Sequence, residues 1–138
     1  MRIDRYLTVN DAGRLLNPAL ADGQIRGGFA QGLGAALMEQ FVYSPDGAFV
    51  SGTLADYLIP TSMEVPEPVI LHMETPSPFT PLGAKGIGEG SNMSTPVCIA
   101  NALADALGTA VDPEAIALPL TPSKIVGLLA AAGDHSES

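Results

Sequence analysis

The sequence predicts an α+β fold, about three helices with a β-hairpin and short strands, on three observations. Phe29, Leu33, Leu37 and Phe41 recur every fourth position, which sets them along one helical face and predicts a helix over about 28–41. Two strand-like runs in "FVYSPDGAFVSG" flank Ser44-Pro45-Asp46-Gly47, where proline presets a turn and glycine tolerates the positive φ that follows, so a β-hairpin is expected. Thr95-Pro96 and Thr121-Pro122 each have the form of an N-cap followed by proline at the first helical position, and announce helices over about 95–107 and 122–132.

In chain order, residues 2–9 ("RIDRYLTV") alternate well enough for a strand. The next stretch, with Asp11, Gly13, Asn17, Pro18, Asp22 and Gly23, carries turn formers and reads as an irregular connection. The first predicted helix holds Gly27, Gly28, Gly32 and Gly34 near its start. Each interior glycine costs about 1 kcal/mol relative to alanine, so something must approach that backbone closely. Residues 60–82 hold six of the twelve prolines, and only "VILHMET" between them looks like a strand, so a long irregular connection is expected there. Ala100, Leu103, Ala104 and Leu107 give the second helix a face to bury, and Gly108 is placed to stop it. Ile125, Val126, Leu128 and Leu129 do the same for the third, before a tail at 134–138 that is expected to be disordered.

With 46% hydrophobic and 15% charged residues, the 138-residue chain has the composition of one folded domain. Its net charge of −9, with no cluster of Lys or Arg, argues against nucleic-acid binding. The apolar run "IVGLLAAA" is far shorter than the ~20 residues a membrane span needs, and the N-terminus has no signal-peptide core, so a cytoplasmic protein is expected. One cysteine, Cys98, excludes an internal disulfide and cannot supply the thiolates of an iron–sulfur cluster.

Residues 83–90, "GAKGIGEG", set the carboxylate of Glu89 among four glycines just before a predicted helix. Glycines there let backbone and ligand meet with no Cβ between them. A phosphate-binding loop does not fit: there is no GxxxxGK[ST], the dinucleotide pattern fails at Ser91, and the acid would repel phosphate. An exposed loop acid and an active-site carboxylate both remain open on these residues alone.

"GAKGIGEG" resembles the segment holding the catalytic glutamate in the molybdenum-binding large subunit of the xanthine dehydrogenase and aldehyde oxidase family, the molybdenum hydroxylases. The blocks "NDAGRLLNPALADGQIRGGFAQGLGAALMEQFVY", "GTLADYLIPTSMEVPE" and "ETPSPFTPLGAKGIGEGSNMSTPVCIANALADALG" are similar to consecutive parts of that subunit's C-terminal region, in the family order. The family subunit is several times longer. The resemblance therefore implies that residues 1–133 are the C-terminal part of a molybdopterin-binding domain, inactive in isolation.

By that resemblance Glu89 is the active-site base for hydroxylation of an aldehyde or N-heteroaromatic carbon, with water as the oxygen source. The cofactor implied is molybdenum-molybdopterin, plain or as the cytosine dinucleotide, held by the pterin rather than by protein thiolates. Gln24 resembles the glutamine that hydrogen-bonds the pterin, a task suited to an amide that both donates and accepts. Gln31 is seven residues on, about two turns along a helix, and shares that candidacy with an ordinary solvent-facing glutamine. Gly86, Gly88 and Lys85 join as candidate cofactor contacts; Lys85 would steady the loop or pair with Glu89, although a surface lysine is the commoner outcome. His72 and Glu74 share a strand face but are too few for a metal site. The implied partners are the upstream portion of the large subunit, an iron–sulfur subunit, an FAD subunit and a small-molecule substrate. A non-catalytic fragment serving as an interaction module is the alternative.

Overall fold

The computed structural model describes residues 1–108 and 111–134, in the order β1 (Leu7–Asp11), α1 (Pro18–Leu37), β2 (Val69–Met73), α2 (Gly90–Leu107) and α3 (Pro122–Asp134), with a 3-10 turn at Pro113–Ala115 before α3. β1 and β2 pair in parallel, Leu7 opposite Val69 through Asp11 opposite Met73. Among the described residues no helix is long and apolar enough to cross a membrane. The expected tail lies outside the described residues except for Asp134, which closes α3.

α1 begins ten residues before the expected 28 and ends at Leu37 rather than 41. Asn17 is its N-cap: its backbone is extended and its side chain accepts a hydrogen bond from the Leu20 N–H at 3.2 Å, while Pro18 occupies the first helical position. At the other end the N–H groups of Met38 and Glu39 both reach the Gly34 carbonyl, which closes the helix before Phe41. Phe41 is accordingly exposed, against Phe49 and Tyr57.

The second helix also starts early, at Gly90, so Thr95-Pro96 is interior rather than a cap. Thr95 is fully buried, and its hydroxyl donates to the Ser91 carbonyl at 2.6 Å and shares a 3.0 Å bond with the Tyr6 hydroxyl. Gly108, at φ +63°, ends α2 as expected. α3 agrees with the expected 122–132 to within two residues. The hairpin survives as one antiparallel bridge, Tyr43 with Phe49, closed by Ser44 and by Gly47 at φ +85°. The strand expected over 2–9 is displaced to 7–11, and residues 60–82 are irregular apart from β2.

α1 packs directly on α2, and the α1 glycines explain how. A Cβ at Gly32 would stand 2.7 Å from the Thr95 Cβ and 3.0 Å from the Asn92 carbonyl oxygen; one at Gly28 would stand 3.2 Å from the Ser91 Cβ. The close approach expected from the glycine pattern is therefore the contact with α2 at Gly28 and Gly32; Gly34 faces Glu39 and Pro60 instead, and Gly27 has nothing within 4 Å. Tyr6, Phe29, Leu33, Ala36 and Ile99 form the core, with the Tyr6 and Phe29 rings stacked at 4.1 Å. The sheet leaves Leu7, Val9, Val69, Leu71 and Met73 exposed.

Candidate active site

The segment 83–90 lies between β2 and α2 in the chain, its root beside residues 12–14 just after β1, and it is anchored at both ends. At its root the Gly83 carbonyl accepts from the Arg14 N–H (3.2 Å) and the Ser77 N–H (2.9 Å), Gly13 bridges Ala84, and the Lys85 N–H donates to the Ala12 carbonyl at 2.8 Å. Gly13 and Gly83 both have positive φ, +60° and +72°. At Gly13 a side chain is also excluded, since its Cβ would stand 2.2 Å from the Gly83 oxygen.

At the far end the Gln24 Nε2 donates to the Gly88 carbonyl at 2.7 Å, joining residues 64 apart in sequence. The loop then enters α2, with the Met93 N–H on the Glu89 carbonyl. Glu89 occupies the N-cap position, its side chain exposed and making no capping bond. The unpaired N–H groups of the helix end favour a negative charge beside them.

Gln24, Lys85 and Gly88 line one cleft of ≈ 430 Å³, together with Arg14, Leu20 and Ile87. The larger cleft, ≈ 640 Å³, is walled by residues such as Leu33, Leu37 and Ile125 and contains none of the candidates; its size alone does not make it the site. Gly86 and Gly88 have open space where a Cβ would be. Gln31 is exposed on α1, two turns beyond Gln24, and among the described residues it makes no side-chain hydrogen bond.

Lys85 does not pair with Glu89. Its ammonium lies 3.1 Å from Asp11 Oδ2 and 2.5 Å from the Thr75 hydroxyl. Asp11 also accepts from the Gly13 N–H (2.9 Å), the Thr75 N–H (3.1 Å) and the Thr75 hydroxyl. These bonds, the Thr75 hydroxyl foremost, hold its carboxyl far below the ordinary carboxylate range. His72 pairs with Asp22 at 2.8 Å rather than with Glu74. Among the described residues no three of His, Cys, Asp and Glu gather as a metal site. Asp11 and Thr75 escaped the sequence reading, because neither has a local signal that points to Lys85.

Residues 1–66 match the molybdopterin cofactor-binding domain. The chain is 39% identical over 126 residues to the nicotine 6-hydroxylase large subunit of Paenarthrobacter nicotinovorans, covering 91% of this chain and 15% of that protein. It is 36% identical over 124 residues to a putative xanthine dehydrogenase molybdenum-binding subunit of Escherichia coli K12, covering 89% and 16%. Among solved structures, quinoline 2-oxidoreductase from Pseudomonas putida 86 superimposes with a TM-score of 0.87 at 41% identity, covering 94% of this chain and 16% of that one.

The chain belongs to the family of molybdenum-binding large subunits that includes the xanthine dehydrogenases and aldehyde oxidoreductases. It spans about a sixth of the length of the relatives it matches.

Proposed function

We propose that the chain is the C-terminal portion of a molybdenum hydroxylase large subunit and contributes Glu89 as the base. The reading is carried by the Gln24 to Gly88 bond, which sets the candidate pterin-binding amide against the loop that bears the carboxylate. The residues fit a molybdopterin group. The second N–H and the oxygen of the Gln24 amide have no partner among the described residues, and the exposed backbone at Gly86 and Gly88 admits a flat polar ligand. Gln24, Gly86 and Gly88 would hold it, with Gln31 further along α1; Lys85 is occupied by Asp11 and Thr75.

When bound, that group supplies the two-electron acceptor for hydroxylating an aldehyde or N-heteroaromatic carbon with oxygen from water. Glu89 would take up, at a carboxylate oxygen, the proton of the water-derived oxygen as that oxygen bonds to the carbon and the carbon's C–H bond breaks, its electron pair leaving to that acceptor. The glycines on either side keep neighbouring side chains out of the substrate's path. Iron–sulfur and FAD partner subunits would take the electrons onward, and the rest of the large subunit would complete the pocket.

Replacing Glu89 by Gln in the assembled enzyme keeps size and shape but removes the base. General-base catalysis contributes ~10²–10⁴-fold, so the limiting rate of enzyme reduction by substrate should fall at least about 100-fold at matched molybdenum content. A Glu89→Gln enzyme within about threefold of the parent would refute the assignment.

A further inference from the structure

We propose that Asp11 and Thr75 are positioning residues for the Glu89 loop, acting through the ammonium of Lys85; this rests on the reading of Glu89 as the base. Three segments distant in sequence meet here: the last residue of β1, the segment just after β2, and the loop. Asp11 and Lys85 lie 74 positions apart.

Both oxygens of Asp11 are fully used. Oδ1 accepts from the Gly13 and Thr75 N–H groups, and Oδ2 accepts from the Thr75 hydroxyl and the Lys85 ammonium. The pair also differs from ordinary surface ion pairs. The side chains of Lys85 and Asp11 are 34% and 28% exposed, whereas Arg2 and Asp4 are 86% and 74% exposed and Arg26 and Glu67 are 45% and 69% exposed. Partial shielding from water and salt makes such a pair less easily screened than its surface counterparts. The depressed titration of Asp11 agrees with a carboxylate that its surroundings hold charged.

Lys85 is placed to pass this restraint on. Its own N–H is fixed to Ala12, and three residues later Gly88 is held by Gln24. Gly86 and Gly88, between Lys85 and Glu89, have no side chains with which to hold the backbone by packing. With the Lys85 ammonium released, this glycine stretch loses one of its fixed points and Glu89 is placed less narrowly, and a misplacement of about 1 Å can cost ~100-fold in rate.

The test uses the complete, assembled enzyme with Asp11→Asn, Thr75→Val, Lys85→Met and Lys85→Arg. In Asp11→Asn and Lys85→Met, hydrogen exchange of the backbone amides of residues 84–89 should quicken about tenfold or more. Molybdenum content should be unchanged, with kcat falling about 10- to 100-fold and KM staying within about threefold. Thr75→Val should move both readouts in the same direction, and Lys85→Arg, which keeps the charge, should hold both near the parent. Should Asp11→Asn fail to assemble, Lys85→Met carries the test. Parent-like exchange in both variants, or a loosened loop with parent-like turnover, would overturn the proposal. A parent-like Glu89→Gln enzyme would overturn the base assignment instead, and loop exchange would still decide whether Asp11 and Lys85 hold the loop.

Discussion

The α1–α2 contact makes a sharp prediction, because two glycines of one helix face opposite surroundings. At Gly32 an added Cβ would stand 2.7 Å from the Thr95 Cβ, 3.0 Å from the Asn92 oxygen and 3.3 Å from the Pro96 Cδ. A backbone oxygen and a proline ring cannot rotate aside, so Gly32→Ala forces the helices apart. Overpacking costs about 1–3 kcal/mol, against about 1 kcal/mol regained from alanine's helix propensity. Displacing Thr95 also strains its bond to Tyr6, a further loss of about 1 kcal/mol. A net destabilisation of about 1–3 kcal/mol is expected. Gly27 has nothing within 4 Å, so Gly27→Ala should stabilise by about 0.5–1 kcal/mol. Urea unfolding of the purified chain, compared with the parent at one fixed, dilute concentration because the isolated chain is expected to self-associate, and followed by far-ultraviolet circular dichroism, reads both as midpoint shifts at constant slope. Gly32→Ala as stable as the parent, or Gly27→Ala the more damaging of the two, would refute the packing argument.

Gln24→Ala in the complete enzyme should lower molybdenum-cofactor occupancy and, because it also frees Gly88 beside Glu89, turnover per bound molybdenum, whereas Glu89→Gln should lower turnover alone; metal analysis beside reduction kinetics checks both. Asp11 is depressed on folding, so its stabilising contribution is present above its unfolded pKa of about 3.9 and is lost as pH falls through the folded value. Exchange at 84–89 should thus show no Asp11-dependent loosening from neutral pH to about 4, with loosening only below, and an Asp11-dependent change near pH 6 would contradict this. The chain exposes 9081 Å², about a third more than the roughly 6,700 Å² of a compact monomer of its 14.1 kDa. With Leu7, Val9, Val69, Leu71 and Met73 among the exposed residues, the isolated chain should bind an apolar dye and self-associate. A monodisperse monomer in light scattering without dye fluorescence would count against this.

Helix existence was legible in the sequence, and so was the start of α3 at Pro122, but the starts of α1 and α2 were not, for a reason visible in two dipeptides. Asn17-Pro18 and Thr95-Pro96 carry the same capping signal. The first does cap a helix, because Asn17 is exposed and its side chain is free to turn onto the Leu20 N–H. The second does not, because burial commits the Thr95 hydroxyl to Ser91 and Tyr6. Local propensity cannot see which environment a residue will meet. A close approach at the α1 glycines was legible, since their cost is intrinsic to the helix, but that α2 is the partner of Gly28 and Gly32, and that Gly27 has none within 4 Å, came only with the fold. Phe41 continued the period of four without continuing the helix. For the site, Glu89 and Gln24 were read from the resemblance, while the Asp11 partner of Lys85 depends on a strand pairing that no local pattern encodes.

That pairing also bears on how the carboxylate proposed as the base can sit among glycines. Glycine surrenders more conformational freedom on ordering than any other residue, so a loop with four of them is a poor place to fix a side chain unless bonds from outside offset the loss. An idle surface loop has no need of such bonds. This one receives them on Gly83, Ala84, Lys85 and Gly88, from Arg14, Ser77, Gly13, Ala12, Asp11, Thr75 and Gln24. The carboxylate that follows is left with no capping bond and no packing neighbour in the loop. A chain that restrains the backbone from both ends and leaves the side chain uncommitted has separated placement from reactivity, and general-base chemistry requires that separation.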